Sequence, residues 1–229
     1  MHEHWLDGRC IVIIGGSSGM GLSAAKACLR EGARVLVTAP DQDAAHTAAS
    51  ILGDGAVVMS ADARIEGTAE QAIEACATRF GEFHALYHVA GGSGRKFGDG
   101  ALHDLTIEGW DRTLQLNLGS VMLSNRAAVR WWLDRDEAGT ILNMGSVLAE
   151  HPAPDLFATA AYATAKSAVA GFTRSIAAFY SKHDIRANVI APGLTDTPMA
   201  KRAMEDPGIQ AFVNSKQRLD GGRSGTPAD

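Results

Sequence analysis

The chain has 229 residues, enough for one large domain with a full hydrophobic core. Hydrophobic residues make up 46% and charged residues 21%, as in ordinary globular proteins, and the net charge of −5 offers no basic surface to a nucleic acid. No uninterrupted apolar run is long enough to cross a bilayer, and the first residues lack the basic and apolar regions of a signal peptide. We therefore expect a cytoplasmic protein that binds neither nucleic acid nor membrane.

The first informative pattern is a strand followed by glycines and a helix. Residues 10–14 form a continuous apolar run, typical of a strand buried on both faces of a parallel sheet. Glycines at 15, 16, 19 and 21 follow, and a helical pattern then continues to about residue 32. Such a turn lets a diphosphate approach the backbone, and the helix start offers N–H groups to it. A flexible loop is the alternative, which the flanking strand and helix disfavour.

Strands and helices alternate along the remainder of the chain. Further strands are predicted at 33–38, 56–60, 84–89, 140–144 and 185–191, and further helices at about 43–52, 67–80, 106–133, 162–181 and 200–215. The segments 90–100, 147–161 and 221–229 are predicted to be mostly irregular. This alternation predicts an α/β fold with a doubly wound parallel sheet, helices on both faces, and a single domain over 1–229.

Three cysteines, Cys10, Cys28 and Cys76, are scattered through apolar patterns. We expect them to be buried free thiols, and we predict no metal site.

Tyr162 and Lys166 carry the main chemical hypothesis. Residues four apart on a helix share one face, and a cation beside a phenol lowers the phenol's pKa from about 10. Tyr162 would then serve as a general acid or base near neutral pH. Ser146 follows the fifth strand, where its hydroxyl could polarise a carbonyl group. Taken alone, the pair more often marks an exposed helix surface, because helices frequently place Tyr and Lys at this spacing by chance.

Asn117 lies on the apolar stripe of the long helix, among Leu114, Leu118 and Val121. A buried amide needs hydrogen-bond partners, so both a functional role and a satisfied core asparagine fit this position.

Taken in order, these motifs resemble the short-chain dehydrogenase/reductase family, and the resemblance covers nearly the whole chain. The matching residues are Gly15, Gly19, Gly21, Asp62, Ala90-Gly91, Trp110, Asn117, Ser146, Tyr162, Lys166, Pro192-Gly193 and Thr197. The family's Rossmann-like fold is the implied architecture.

The resemblance implies a role for each catalytic residue. Tyr162 would exchange a proton with the substrate oxygen, and Ser146 would steady the carbonyl or alcohol. Lys166 would hold the nicotinamide ribose and lower the pKa of Tyr162. Asn117 would hold a water that links Lys166 to solvent, and Thr197 would bond the nicotinamide amide.

The implied cofactor is NAD or NADP, with Asp62 beside the adenine. Its expected contacts are Gly15, Ser17, Ser18, Gly19, Met20, Gly21, Asp62, Ala63, Ala90, Gly91, Tyr162, Lys166, Pro192, Gly193, Thr195 and Thr197. The positions that select between the two cofactors hold Ala39 and Pro40, and Asp41 is expected to cap the next helix. The sequence therefore favours neither cofactor.

The chain departs from the family pattern at several places. Ile14 replaces a threonine before the first glycine, and His88-Val89 replace two asparagines, so the loop that follows must be held by other residues. The interval from Ser146 to Tyr162 is a few residues longer than usual. The chain stops where the family continues into another helix and a seventh strand, so we expect a longer natural product and an apolar edge at the sixth strand.

The implied reaction is the reversible oxidation of a secondary alcohol to a ketone, with a small-molecule substrate. The 3-oxoacyl thioester reductases are close relatives in this resemblance, and sugar, polyol and steroid substrates remain open. The expected pocket walls are Lys96-Phe97, the stretch 151–157, Met199, Met204 and Phe212.

A sensor or scaffold that binds the dinucleotide without turnover is the alternative, against which the complete set of Ser146, Tyr162 and Lys166 argues. The resemblance also implies a homodimer or homotetramer assembled through the long helices.

Overall fold

The fold is built on one six-stranded parallel sheet, seen in a computed structural model that describes residues 4–229 apart from the side chains of residues 154 and 155. The strands are β1 (Cys10–Ile14), β2 (Arg34–Ala39), β3 (Ala56–Ser60), β4 (Ala85–His88), β5 (Gly139–Met144) and β6 (Ile185–Ile190). Their order, β3-β2-β1-β4-β5-β6, places β1 and β4 side by side where the chain reverses direction across the sheet. The predicted doubly wound sheet is confirmed, and the reversal point is where such sheets bind ligands.

Helices connect the strands. They are α1 (Gly19–Arg30), α2 (Gln42–Leu52), α3 (Thr68–Phe80), α4 (Ile107–Leu114), α5 (Ser120–Arg135), α6 (Pro154–Phe157), α7 (Ala160–Tyr180), α8 (Lys201–Glu205) and α9 (Pro207–Lys216).

The centre of the sheet is buried on both faces, as the apolar runs of β1 and β2 predict. Val12 and Ile14 of β1 belong to a cluster with residues of α3, α5 and α7, among them the buried Trp132. Ile11 and Ile13, which point the other way, belong to a second cluster with residues of α1 and α2. Alternate residues of one strand thus hold the two helical layers.

The predicted long helix is interrupted. A π-helical turn, Gln115–Gly119, separates α4 from α5 and contains Asn117. The amide of Asn117 donates to the carbonyl of Thr113 at 3.0 Å and also bonds the loop after β4. Such wide turns are frequent at functional sites.

The single helix predicted at 200–215 is wrong, because two helices, α8 and α9, occupy the region. Pro207 has no N–H and disfavours helical conformation in the residue before it. Asp206 instead caps α9, accepting hydrogen bonds from the N–H groups of Gly208 at 2.9 Å and Ile209 at 3.0 Å.

Two irregular segments hold more structure than predicted. The stretch 147–161 contains α6, and α7 already begins at Ala160. In the tail, Gly225 forms a parallel bridge with Thr195, and Arg223 bonds Asp229 at 2.7 Å. The tail therefore covers the segment that follows β6.

The end of β6 is exposed, with 37% of Val189 and 47% of Ile190 accessible, as the expected apolar edge requires. The three cysteines are free thiols, and Cys10 and Cys76 are buried, whereas Cys28 is only partly so. Within residues 4–229, none of the helices combines the length and the apolar character that a membrane crossing needs.

Candidate active site

The glycine turn after β1 fits tightly against the start of the loop after β4. Gly15 has a φ of +87°, and a Cβ placed on it would lie 2.6 Å from the backbone nitrogen of Ala90. Its N–H donates to the hydroxyl of Thr38 at 3.0 Å, so a neighbouring strand supplies a hydroxyl although Ile14 has none. Gly21 is an expected cofactor contact, but it does not line the cleft. A Cβ there would overlap the carbonyl oxygen of Gly15, so its role is to seat α1 on the turn.

The N-terminus of α1 has no side-chain partner for its free N–H groups. Ser18 is the N-cap residue but makes no capping hydrogen bond, and no acidic residue lies in the first turn. In contrast, α2 is capped by Asp41, whose carboxylate accepts from the N–H of Ala44 at 2.8 Å, as predicted. The start of α1 can therefore donate to an anion in the cleft.

A cleft of about 1020 Å³ opens at the carboxyl ends of the strands. All predicted site residues line it except Gly21 and Asn117. The predicted residues that do so are Gly15, Ser17, Ser18, Gly19, Met20, Asp62, Ala63, Ala90, Gly91, Ser146, Tyr162, Lys166, Pro192, Gly193, Thr195 and Thr197.

The structure brings Ser146, Tyr162 and Lys166 together at this cleft. The hydroxyl of Ser146, which accepts from the N–H of Leu148 at 3.2 Å, lies close enough to the phenol of Tyr162 to lower its pKa. The ammonium of Lys166 lies 5.8 Å from the centre of the Tyr162 ring and donates to the carbonyl of Met144 at 2.8 Å. Lys166 is only 3% exposed, so the exposed-pair alternative is wrong.

The predicted lowering of the Tyr162 pKa by Lys166 is not found. Burial raises the pKa of Tyr162, and the neighbouring hydroxyl of Ser146 offsets part of that rise. The ammonium of Lys166 is bonded to Met144 and not to the phenol oxygen, and burial lowers its own pKa to about 8.

Asn117 is fully buried and holds the loop after β4. Its amide oxygen accepts from the N–H of Gly92 at 3.0 Å, and its nitrogen donates to the carbonyl of Gly92 at 2.9 Å. A Cβ on Gly91 would come within 2.8 Å of that oxygen, so this glycine is needed for the close approach. The predicted contact with a water stays a prediction.

His88 supplies a second hold on the same loop. Its Nε2 lies 3.1 Å from the carbonyl oxygen of Ala90, and its Nδ1 lies 2.7 Å from the hydroxyl of Ser124. Burial, with the charge of Lys166, lowers the pKa of His88 to about 3, so the ring is neutral near pH 7. Because two asparagines of the family pattern are replaced, the loop after β4 was expected to be held by other residues. His88 and Asn117 are those residues.

Asp99 is a residue that sequence reasoning missed. Its two carboxylate oxygens accept from the N–H groups of Ala161 and Tyr162, each at 2.9 Å, and the side chain is 4% exposed. Asp99 thereby caps α7, whose N-cap residue Thr159 makes no capping bond of its own. No local pattern predicts the contact, because the two partners are far apart in the sequence.

Asp62, which is expected to lie beside the adenine, lines the cleft and is held by Arg64. Its carboxylate accepts from Arg64, with Nη2 at 2.6 Å, and this bond lowers the pKa of Asp62.

The substrate end differs in part from the predicted walls. Three of the predicted wall residues do not line the cleft: Lys96, Phe97 and Met204. The ring of Phe97 instead packs between the ammonium of Lys96, 4.9 Å from the ring centre, and the guanidinium of Arg112, 4.6 Å from it. The lining residues here are Arg95, His151, Pro152, Ala153, Phe157, Met199, Arg202, Phe212 and Lys216.

Comparison with known proteins places the chain in a family. Residues 9–208 match the family model of the short chain dehydrogenases. The chain is 35% identical to 2-(S)-hydroxypropyl-CoM dehydrogenase 3 of Xanthobacter autotrophicus, over 98% of this chain and 87% of that protein. It is 30% identical to 3beta-hydroxysteroid dehydrogenase 2 of Eggerthella lenta, over 100% of this chain and 86% of that protein.

A solved structure agrees. The 3-ketoacyl-(acyl-carrier-protein) reductase from Brucella melitensis, complexed with NADH, superposes with a TM-score of 0.84 at 26% identity, covering 98% of this chain and 88% of that one. The chain therefore belongs to the short-chain dehydrogenase family. It is an NAD(P)-dependent oxidoreductase, which these relatives support over a silent sensor or scaffold.

Replacing Asp99 with alanine should destabilise the protein. The change leaves two N–H groups of α7 without an acceptor, which costs about 1–3 kcal/mol. Urea unfolding measures the loss. Asp104→Ala is the matched control, because Asp104 is exposed and contacts only His103, at 3.3 Å. Equal stability of the two variants would contradict the capping role.

Replacing Lys166 with methionine should change how stability depends on pH. Burial lowers the pKa of Lys166 in the folded state to about 8, from an ordinary value of 10.5. Between these two pH values the unfolded chain binds more protons than the folded one, so stability rises with pH. The buried lysine should contribute a rise of about 3 kcal/mol that Lys166→Met lacks. Unfolding series at several pH values measure the difference. Lys201→Met, at an exposed position, should show the same pH dependence of stability as the parent. An equal pH dependence in the parent and in Lys166→Met would contradict the lowered pKa of Lys166.

Proposed function

We propose that this oxidoreductase interconverts a secondary alcohol and its ketone, with Tyr162 as the general acid and base. The observation that carries the proposal is the placement of the Tyr162 phenol in the cleft, near the hydroxyl of Ser146 and with the ammonium of the buried Lys166 5.8 Å from its ring centre. A raised pKa keeps the phenol protonated near pH 7, which suits donation of a proton to a carbonyl oxygen.

The residues of the cleft fit a nicotinamide dinucleotide. The uncapped start of α1, with Ser17 and Ser18, would bind the diphosphate, and Asp62 would face the adenine. Pro192, Gly193, Thr195 and Thr197 lie where they could contact the nicotinamide. When bound, the cofactor supplies or accepts the hydride.

The protein's share of the reaction is proton transfer and positioning. In ketone reduction, the hydroxyl proton of Tyr162 passes to the substrate oxygen as the carbonyl carbon gains the hydride. Ser146 donates a hydrogen bond to that oxygen and stabilises the negative charge that develops there. Lys166 would hold the nicotinamide ribose. Alcohol oxidation runs the same steps in reverse, with the phenolate as base.

NAD is the proposed cofactor in preference to NADP. The residues that line the adenosine end include Thr38, Ala39 and Pro40, and the charged one among them, Asp62, is acidic. A 2′-phosphate would therefore meet no cation among the described lining residues of that end.

A homodimer or homotetramer through α4 and α5 is the proposed assembly. Exposed apolar side chains on these helices support it: Ile107 at 77%, Met122 at 38% and Leu133 at 38%. Light scattering at several protein concentrations measures the mass.

Tyr162→Phe should abolish turnover and leave cofactor binding largely intact, because the variant loses only the hydroxyl. The parent is first screened against carbonyls and alcohols with NAD and with NADP, following the absorbance of the reduced nicotinamide. Its best substrate is then given to the variant, while fluorescence titration measures cofactor affinity. Thr164→Ala is the control, since Thr164 is exposed on the same helix and its hydroxyl donates to the carbonyl of Ala160, one turn earlier, at 2.8 Å. Undiminished turnover in Tyr162→Phe would end the acid/base assignment.

A further inference from the structure

Two arginines converge on one carbonyl at the substrate end of the cleft. Nη2 of Arg95 and Nη2 of Arg202 each donate to the oxygen of Leu156, at 3.2 and 3.3 Å. Arg95 belongs to the turn after β4 and Arg202 to α8, so two separate segments bring these cations together. Both residues line the cleft.

The two charges repel each other. Burial, and after it the charge of Arg202, lowers the pKa of Arg95. Neutral Leu156 supplies a single oxygen for the pair, and a guanidinium carries five N–H donors. Most of the hydrogen-bonding capacity of both arginines therefore remains unused by the bonds that the structure describes.

No carboxylate among the described side chains forms an ion pair with either arginine. The charge of Asp99 opposes part of the lowering of the Arg95 pKa, but the two oxygens of Asp99 accept hydrogen bonds from the N-terminus of α7. Glu205 lies 3.9 Å from Lys201 instead. Lys216 adds a further positive charge to the lining of the cleft, and Glu150 adds a negative one.

We propose that Arg95 and Arg202 form a binding site for an anionic group of the substrate. This inference rests on the proposed function and narrows the substrate to a secondary alcohol or ketone that carries a carboxylate, sulfonate or phosphate away from the reacting carbon. Guanidinium groups bind the paired oxygens of such groups with two parallel hydrogen bonds. Phe157, Met199 and Phe212 would contact the apolar part between the two ends.

The first test is a direct measurement of anion binding, which does not depend on turnover. Calorimetric titrations of the protein saturated with NAD use pentanoate, butane-1-sulfonate and butyl phosphate, with 1-butanol as the neutral probe. The parent should bind at least one anion more tightly than butanol. Arg95→Gln and Arg202→Gln should each weaken that binding by about tenfold, which is one charge-assisted contact.

The matched control is Lys201→Gln. Lys201 precedes Arg202 on the same helix and carries the same charge, but it does not line the cleft, so this variant should bind the anions like the parent. Folding of each variant is checked by its melting temperature. Unchanged affinity in both arginine variants, or an equal loss in Lys201→Gln, would overturn the proposal.

The second test separates anion binding from a purely structural clamp on Leu156. The charged substrate is 3-hydroxybutyrate or a longer hydroxy acid, and the neutral one is 2-butanol. In the arginine variants, KM for the charged substrate should rise and KM for 2-butanol should stay unchanged. A clamp would raise KM for both, and that result would refute the proposal. Tyr162→Phe should keep the calorimetric affinity, so a failure of the acid/base assignment remains distinct from a failure of this site.

Discussion

The bond from the buried ammonium of Lys166 to the carbonyl of Met144 is the contact on which the site's arrangement depends. It joins the second turn of α7 to the last residue of β5 at 2.8 Å. Ser146 follows Met144 by two residues, and Tyr162 lies one turn before Lys166, so the same bond sets the distance between phenol and hydroxyl. Because a charge in this position loses most of its hydration, the site costs stability that the rest of the sheet must offset.

The loop after β4 is the second element that the site requires, and it is held from three sides. His88 bonds Ala90 and Asn117 bonds Gly92, and Asp99 at its far end bonds the first turn of α7. A glycine-rich segment has a high conformational entropy in the unfolded chain. These buried hydrogen bonds fix it without needing large side chains, which leaves room in the cleft.

Much of this arrangement could be predicted from the sequence. The strands were predictable because each is a short apolar run bounded by glycine or polar residues, and the glycine turn because it lies between a strand and a helix. The set of Ser146, Tyr162 and Lys166 was predictable from spacing and from the family pattern. The break at Asp206-Pro207 is likewise predictable from the sequence, because proline lacks an N–H and disfavours helical conformation in the residue before it.

The rest depends on contacts between distant segments. The cap that Asp99 places on α7, and the meeting of Arg95 with Arg202, each join parts of the chain that no local pattern relates. The direction of the Tyr162 pKa also escaped prediction. Spacing places a cation near the phenol, but only the structure gives the burial of the ring and the carbonyl that the cation prefers.

The uncapped start of α1 has a consequence beyond catalysis. A dinucleotide that satisfies those N–H groups binds the folded chain and not the unfolded one, so its free concentration enters the folding equilibrium by mass action. The protein should therefore be more easily degraded by proteases in a cell depleted of the coenzyme. Its abundance, and not only its rate, would then follow the supply of the molecule it consumes.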